Sequence, residues 1–260
     1  MVDRDRTVRE VLRFFAIAFG ATAVLHGAIA AFGLPFSLSL NSPVLLLYLL
    51  GLATPAAAAI GLSGFSLVGS FLRSALGPAS PAVCGMALVA QASLLATAAL
   101  IAYAAGDSEL PRWSVASEFA LLALGQVWVV LGEELGWRGY ALPRLLRLVS
   151  ARAATLLLAL AWGVWHTPMF FVSGSLQARE PVWLFAAAVF AWACIHSALF
   201  LRARPSIVPN LVFHASANLT LNLAVVPASA QSTLAIVYVV VGVVVWGRLG
   251  SASGPDPDST

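Results

Sequence analysis

Residues 119–135 read FALLALGQVWVVLGEEL. An apolar run closes on two adjacent carboxylates, Glu133 and Glu134. The run is long enough to enter a bilayer, whose hydrocarbon core takes about 20 residues of helix to cross. A charged residue at the centre of a membrane helix costs roughly 2.5–3.5 kcal/mol on insertion scales. Two in succession need partners, a water-filled cavity or protonation. An intramembrane pair of ionisable residues is a functional-site hypothesis by default.

The rest of the chain agrees. Of 260 residues, 60% are hydrophobic and 10% charged, where soluble domains carry about 25% charged. The mean hydropathy is +0.92. The apolar runs are continuous, which excludes the alternating pattern of a membrane β-barrel. The fold class is therefore all-α, a polytopic membrane protein of about eight transmembrane helices. The expected spans are 11–32, 43–62, 83–105, 118–137, 153–172, 182–201, 207–226 and 234–248. Residues 1–10 read as a cytoplasmic tail, 11–249 as the transmembrane domain and 250–260 as a disordered tail. The first apolar run lacks a small-residue cleavage site and reads as a retained span.

Arginine placement supports this map. The basic residues number 14 and none is Lys. Arg4, Arg6, Arg9, Arg13, Arg73, Arg138, Arg144, Arg147, Arg152, Arg202, Arg204 and Arg248 share one side of an eight-span map, against Arg112 and Arg179 on the other. That is the positive-inside pattern, with both termini cytoplasmic in a plasma membrane. Clustering at span ends also removes any reason to infer a nucleic-acid partner. The segment 138–152 mixes Leu and Arg. It reads as either an interfacial amphipathic helix or a basic connector. Cys84 and Cys194 fall inside apolar runs and read as buried free thiols.

Three motifs carry chemistry. The first is Gly132-Glu133-Glu134-Leu135-Gly136-Trp137-Arg138. Glu134 and Arg138 are i, i+4 in the favourable order for pairing. Glu133 is rotated about 100° from Glu134, so one carboxylate is neutralised while the other stays available. The second is Trp162-Gly-Val-Trp-His166; taken alone, a His in an apolar helix is more often a packing residue. The third is His214-Ala-Ser-Ala-Asn218, stacked on one helical face. Asn210 and Asn222 extend it to a polar stripe, read as lining a water-accessible cavity rather than a dry contact. His26 and His196 receive no role. The map leaves His166 deeper than Glu133 and His214 by roughly 10–15 Å at 1.5 Å per residue.

In this order, the three motifs resemble the CPBP family of intramembrane proteases, whose pattern is Glu-Glu-x-x-x-Arg, aromatic-x-x-x-His and His-x-x-x-Asn. The resemblance covers about residues 118–226 and departs at Trp162, where the family usually has Phe. It implies hydrolysis of a peptide bond in a membrane-associated or prenylated peptide. Glu133 would activate water with help from His166. His214 and Asn218 would stabilise the oxyanion, and Glu134 with Arg138 would support the site. A desolvated carboxylate suits a general base, and an oxyanion donor is worth about 10²–10³ in rate.

Zinc is possible. Glu133, His166 and His214 would be its ligands, although His-Glu-x-x-His is absent. Two other readings use the same residues. One is a proton-coupled transporter with a Glu/His relay, and the other is a non-catalytic membrane scaffold or immunity protein. Membrane lipid is an expected neighbour, and the sequence does not fix an oligomeric state.

Overall fold

The structure is a computed structural model. It describes residues 3–249 except 38, 40, 65, 105, 107–111, 114–118, 180, 226 and 227. The tail expected to be disordered lies outside the described residues.

The chain is helical nearly throughout. In order come α1 (Arg4–Ala31), α2 (Pro43–Leu52), α3 (Thr54–Ser63), α4 (Val68–Ala75), α5 (Pro81–Ala104) and α6 (Phe119–Glu134). A π-helix (Leu135–Ala141) continues α6 into α7 (Leu142–Leu145). Then follow α8 (Ala151–Trp165), a 3-10 turn (Thr167–Phe171), α9 (Leu176–Arg179), α10 (Val182–Ala203), α11 (Val208–Leu223) and α12 (Ala228–Leu249). A two-residue antiparallel pairing joins Arg112 to Val225 and Trp113 to Ala224.

This is an all-α polytopic membrane protein, integral to the bilayer. Five helices are long and apolar enough to cross a membrane, and the bent pair α2–α3 makes a sixth. The expected count of eight is not reached among the described residues. The two remaining runs are α6 and α11, each only 16 residues long. These short elements carry Glu133, Glu134, His214 and Asn218.

Local sequence explains the helix ends. The Asp3 carboxylate accepts from the Arg6 N–H at the start of α1. Ser42 and Ser150 cap α2 and α8 in the same way. Such caps satisfy N–H groups that the first helical turn leaves unpaired.

The break between α2 and α3, a bend of 47°, falls just before Pro55, which has no N–H to give. Backbone freed inside a membrane must find other partners. Thr54 Oγ1 donates to Gly51 O at 2.9 Å, and Trp128 Nε1 donates to Leu49 O at 2.9 Å. Thr22 and Thr54 share a hydroxyl–hydroxyl bond of 2.5 Å. Trp165 Nε1 in turn donates to Thr22 Oγ1 at 2.6 Å.

The carboxylate segment packs directly on this break. A Cβ on Gly132 would sit 2.8 Å from Leu52 O, and one on Gly136 would sit 2.3 Å from Pro55 Cβ. Small residues at this spacing let membrane helices approach closely. Gly132 and Gly136 thus bracket Glu133 and Glu134 and press them against α2 and α3.

The segment after Glu134 corrects the sequence map. Trp137, Arg138, Tyr140, Ala141, Leu142 and Leu145 are all buried. Up to Leu145 the segment is thus largely packed inside the protein, while Arg147 and Ser150 further on are exposed. Helix runs on from α6 to Leu145, beyond the boundary expected at Trp137. Arg138 suggested an interface from sequence because a lone arginine belongs in the headgroups. Here it has its counter-ion one turn away.

Candidate active site

The two adjacent glutamates have different partners. Glu134 is fully buried. Its Oε1 accepts from Arg138 Nη1 at 2.7 Å and from His214 Nδ1 at 2.8 Å. Arg138 is also fully buried, and its guanidinium lies 4.6 Å from the Trp162 ring centroid. An ion pair removed from water needs such geometry and additional hydrogen bonds to offset desolvation. Glu133, 3% exposed, takes no part in that pair. Its Oε2 accepts from Trp162 Nε1 at 2.7 Å.

Trp162 is the hub of the site. His166 follows one turn later, and its Nδ1 donates to Trp162 O at 2.8 Å. The ring centroids of His166, His196 and His214 lie 5.9, 5.9 and 5.6 Å from that of Trp162. The depth mismatch read from sequence is thereby removed. Glu133 and His166 flank the same indole, because α6 continues to Leu145 and Glu133 sits mid-run.

Proton positions follow from these partners. A carboxylate only accepts, and so does a carbonyl. His214 therefore holds a proton on Nδ1 towards Glu134, and His166 holds one on Nδ1 towards Trp162 O. In neutral His166, Nε2 is then an acceptor.

Asn218, half-buried, donates through Nδ2 to Gln126 Oε1 at 2.9 Å. Gln126 was hidden in the apolar run quoted above.

His196 was passed over in the sequence and belongs to this site. It is fully buried, with Nδ1 3.6 Å from Glu134 Oε2. Asn210 Nδ2 donates to His196 Nδ1 at 3.0 Å and to His196 O at 2.8 Å. Asn210 therefore braces α10 through its Nδ2. The side chain of Asn222 lies outside the described residues. One signal could have marked His196: a histidine in an apolar run, preceded by Trp192 at i−4, as His166 is preceded by Trp162.

The ligand set expected for zinc is regrouped. Among the described residues, the trio whose potential ligand atoms lie within 4.8 Å of one another is Glu134, His196 and His214. Glu133 and His166 are not in it. Such a trio could hold a metal ion. Arg138 bonds one carboxylate oxygen, Glu134 Oε1, at 2.7 Å, and the Asn210 amide bonds His196 Nδ1. Glu134 Oε2 and His196 Nε2 are buried without a hydrogen-bond partner among the described residues, so these two residues each keep an atom that could face an ion.

Fold and site together define a polytopic helical membrane protein with a buried Glu/His/Arg centre. Residues 115–220 match the family model of type II CAAX prenyl endopeptidases, Rce1-like. A 93-residue stretch is 34% identical to CAAX prenyl protease 2 of Methanococcus maripaludis, covering 34% of this chain and 34% of that protein. The match thus spans about a third of that curated relative's length. Both comparisons support the CPBP family, and the residues matched by the family model, 115–220, include all three motifs.

Proposed function

We propose that this protein is an intramembrane endopeptidase of the CAAX-protease type. It hydrolyses a peptide bond in a membrane-associated or prenylated peptide, in the plasma membrane with both termini cytoplasmic. The observation that carries this reading is the division of labour between the two glutamates. Glu134 is tied to Arg138 and His214. Among the described residues Glu133 is held by one indole N–H, that of Trp162, beside His166, which leaves carboxylate capacity for chemistry.

In the proposed reaction, water donates its protons towards Glu133 and His166 Nε2. Its oxygen attacks the scissile carbonyl carbon as Glu133 takes a proton. The C–O π electrons collect on oxygen, where His214 and Asn218 act as the hydrogen-bond donors. Preorganised donors of this kind are commonly the largest catalytic contribution. The C–N bond then breaks, and Glu133 returns its proton to the leaving amine. Glu134 and Arg138 orient His214. No step in this scheme is routed through a metal, and a metal held by Glu134, His196 and His214 would supply Lewis-acid polarisation of the carbonyl instead.

The test is cleavage of a prenylated CAAX peptide and its unprenylated counterpart by the purified protein in liposomes, with Glu133→Gln and chelator arms. The expected result is cleavage that Glu133→Gln abolishes and the chelator leaves intact. Cleavage that the chelator removes and zinc restores would overturn the metal-free route. A folded protein that cleaves neither peptide but carries proton flux would overturn the protease reading in favour of a carrier.

A further inference from the structure

Helices α5, α10 and α12 enclose a cavity of about 390 Å³ that the proposed chemistry does not use. Ile195, Ala198, Leu199 and Arg202 line it from α10, at the spacing of one helical face. His196 lies about 100° round the helix from Ile195, facing the carboxylates, so cavity and site occupy different sides of α10. Met86 and Thr97 mark its extent along α5. Its walls are mainly apolar, with the hydroxyls of Ser93 and Thr97 on α5, and its charged lining residues are two: Arg202 in the last turn of α10 and Arg248 in the last turn of α12. Both are exposed.

Two physical features select the occupant. From Met86 to Thr97 the cavity follows about 16 Å of helix at 1.5 Å per residue. One leaflet of hydrocarbon is about 15 Å, half of a ~30 Å core. The groove is therefore one leaflet deep, with its charged mouth at a membrane face. An arginine near a helix C-terminus is ordinary, because the macrodipole favours it. Here two arginines from different helices line one largely apolar groove. Arg202 gives one N–H to Ala198 O at 3.1 Å, out of the five a guanidinium offers. Guanidinium forks match phosphate oxygens in geometry and charge.

We propose that this groove binds one anionic phospholipid, an acyl chain lying between α5, α10 and α12 and the phosphate held by Arg202 and Arg248. A zwitterionic lipid fits the apolar walls equally well, but its own cation opposes the arginine pair. The site stands apart from the catalytic reading and does not depend on it.

The experiment is native mass spectrometry of the full-length protein in detergent, titrated with phosphatidylglycerol or with phosphatidylcholine of the same chain length. Each basic residue near the surface contributes roughly a five-fold factor in anionic-lipid affinity. The double variant Arg202→Gln/Arg248→Gln should weaken phosphatidylglycerol binding by roughly twenty- to thirty-fold and leave phosphatidylcholine unchanged. Ala198→Phe, which fills the groove, should weaken both lipids and decides the matter should the arginine variant fold poorly. Equal binding of the two lipids by the unaltered protein overturns the proposal. So does phosphatidylglycerol binding unaffected by either variant, or its complete displacement by inorganic phosphate.

Discussion

Glu133 and Glu134 are consecutive in the chain, yet one is bonded to an indole N–H and the other to a guanidinium and an imidazole. Their removal should have opposite signatures. Glu133→Gln keeps the shape and a hydrogen-bonding oxygen for Trp162, so the thermal midpoint in detergent should hold. Peptide cleavage should fall by roughly 10²–10⁴, the range of a positioned general base. Glu134→Gln strips Arg138 of its counter-ion inside the protein. Breaking one half of a buried pair costs about 3–5 kcal/mol, so this variant should fail first in stability. Equal stability loss in both variants would contradict the assignment.

Trp162→Phe tests the departure from the family's usual residue. It removes the only indole donor to Glu133 Oε2 found among the described residues and weakens the cover over Arg138. A buried acceptor left unmade costs about 1–3 kcal/mol, which thermal unfolding would register. Cleavage should survive within about ten-fold, since Phe retains an aromatic ring between Glu133 and His166. Complete loss of cleavage would show that the indole N–H is itself essential.

Asn210→Ala probes the support beneath the site. The substitution leaves His196 Nδ1 and its backbone carbonyl without the amide that binds both. The expected loss is about 1–3 kcal/mol in stability, with a smaller loss of cleavage than Glu133→Gln produces. An unchanged unfolding midpoint would remove Asn210 from the supporting network.

Two glycines on one continuous helical run offer a contrast. A Cβ at Gly136 would meet Pro55 Cβ at 2.3 Å and Pro55 O at 2.7 Å, so Gly136→Ala should cost about 1–3 kcal/mol by overpacking. At Gly125 a Cβ meets nothing within 4 Å. Gly125→Ala should be neutral or stabilising by about 0.5–1 kcal/mol, the helical penalty of glycine. Equal behaviour of the two in thermal unfolding would mean that α6 does not press on the α2–α3 break.

The membrane class was legible because hydropathy is additive along the chain. The carboxylate site was legible because polar residues are conspicuous in an apolar run, and the i, i+4 spacing of Glu134 and Arg138 already implied a pair. Three features were not legible. The π-helix 135–141 changes the helical phase, and nothing in Leu-Gly-Trp-Arg-Gly-Tyr-Ala announces a wider turn. The inward extent of α6 was hidden because Arg138, read in isolation, marks a membrane edge; only its burial beside Glu134 shows otherwise. His196 and Gln126 are single polar residues in apolar helices, and periodicity alone does not say which faces a neighbour. Proximity to Glu134 and to Asn218 gives them meaning, and proximity is a property of packing.

The placement of Arg138 on the same helical run as Glu134 also bears on biogenesis. These two charges leave the translocation machinery within four residues of each other. They can neutralise one another before α8, α10 or α11 has been synthesised. His214 arrives later, as a third party to a pair already made. Glu133 has no such companion on its own helix and must wait for the Trp162 indole, supplied by the next long hydrophobic segment. The order of synthesis thus delivers the supporting pair first and the reactive carboxylate's partner afterwards. The costliest charges are shielded while the polypeptide is still entering the lipid.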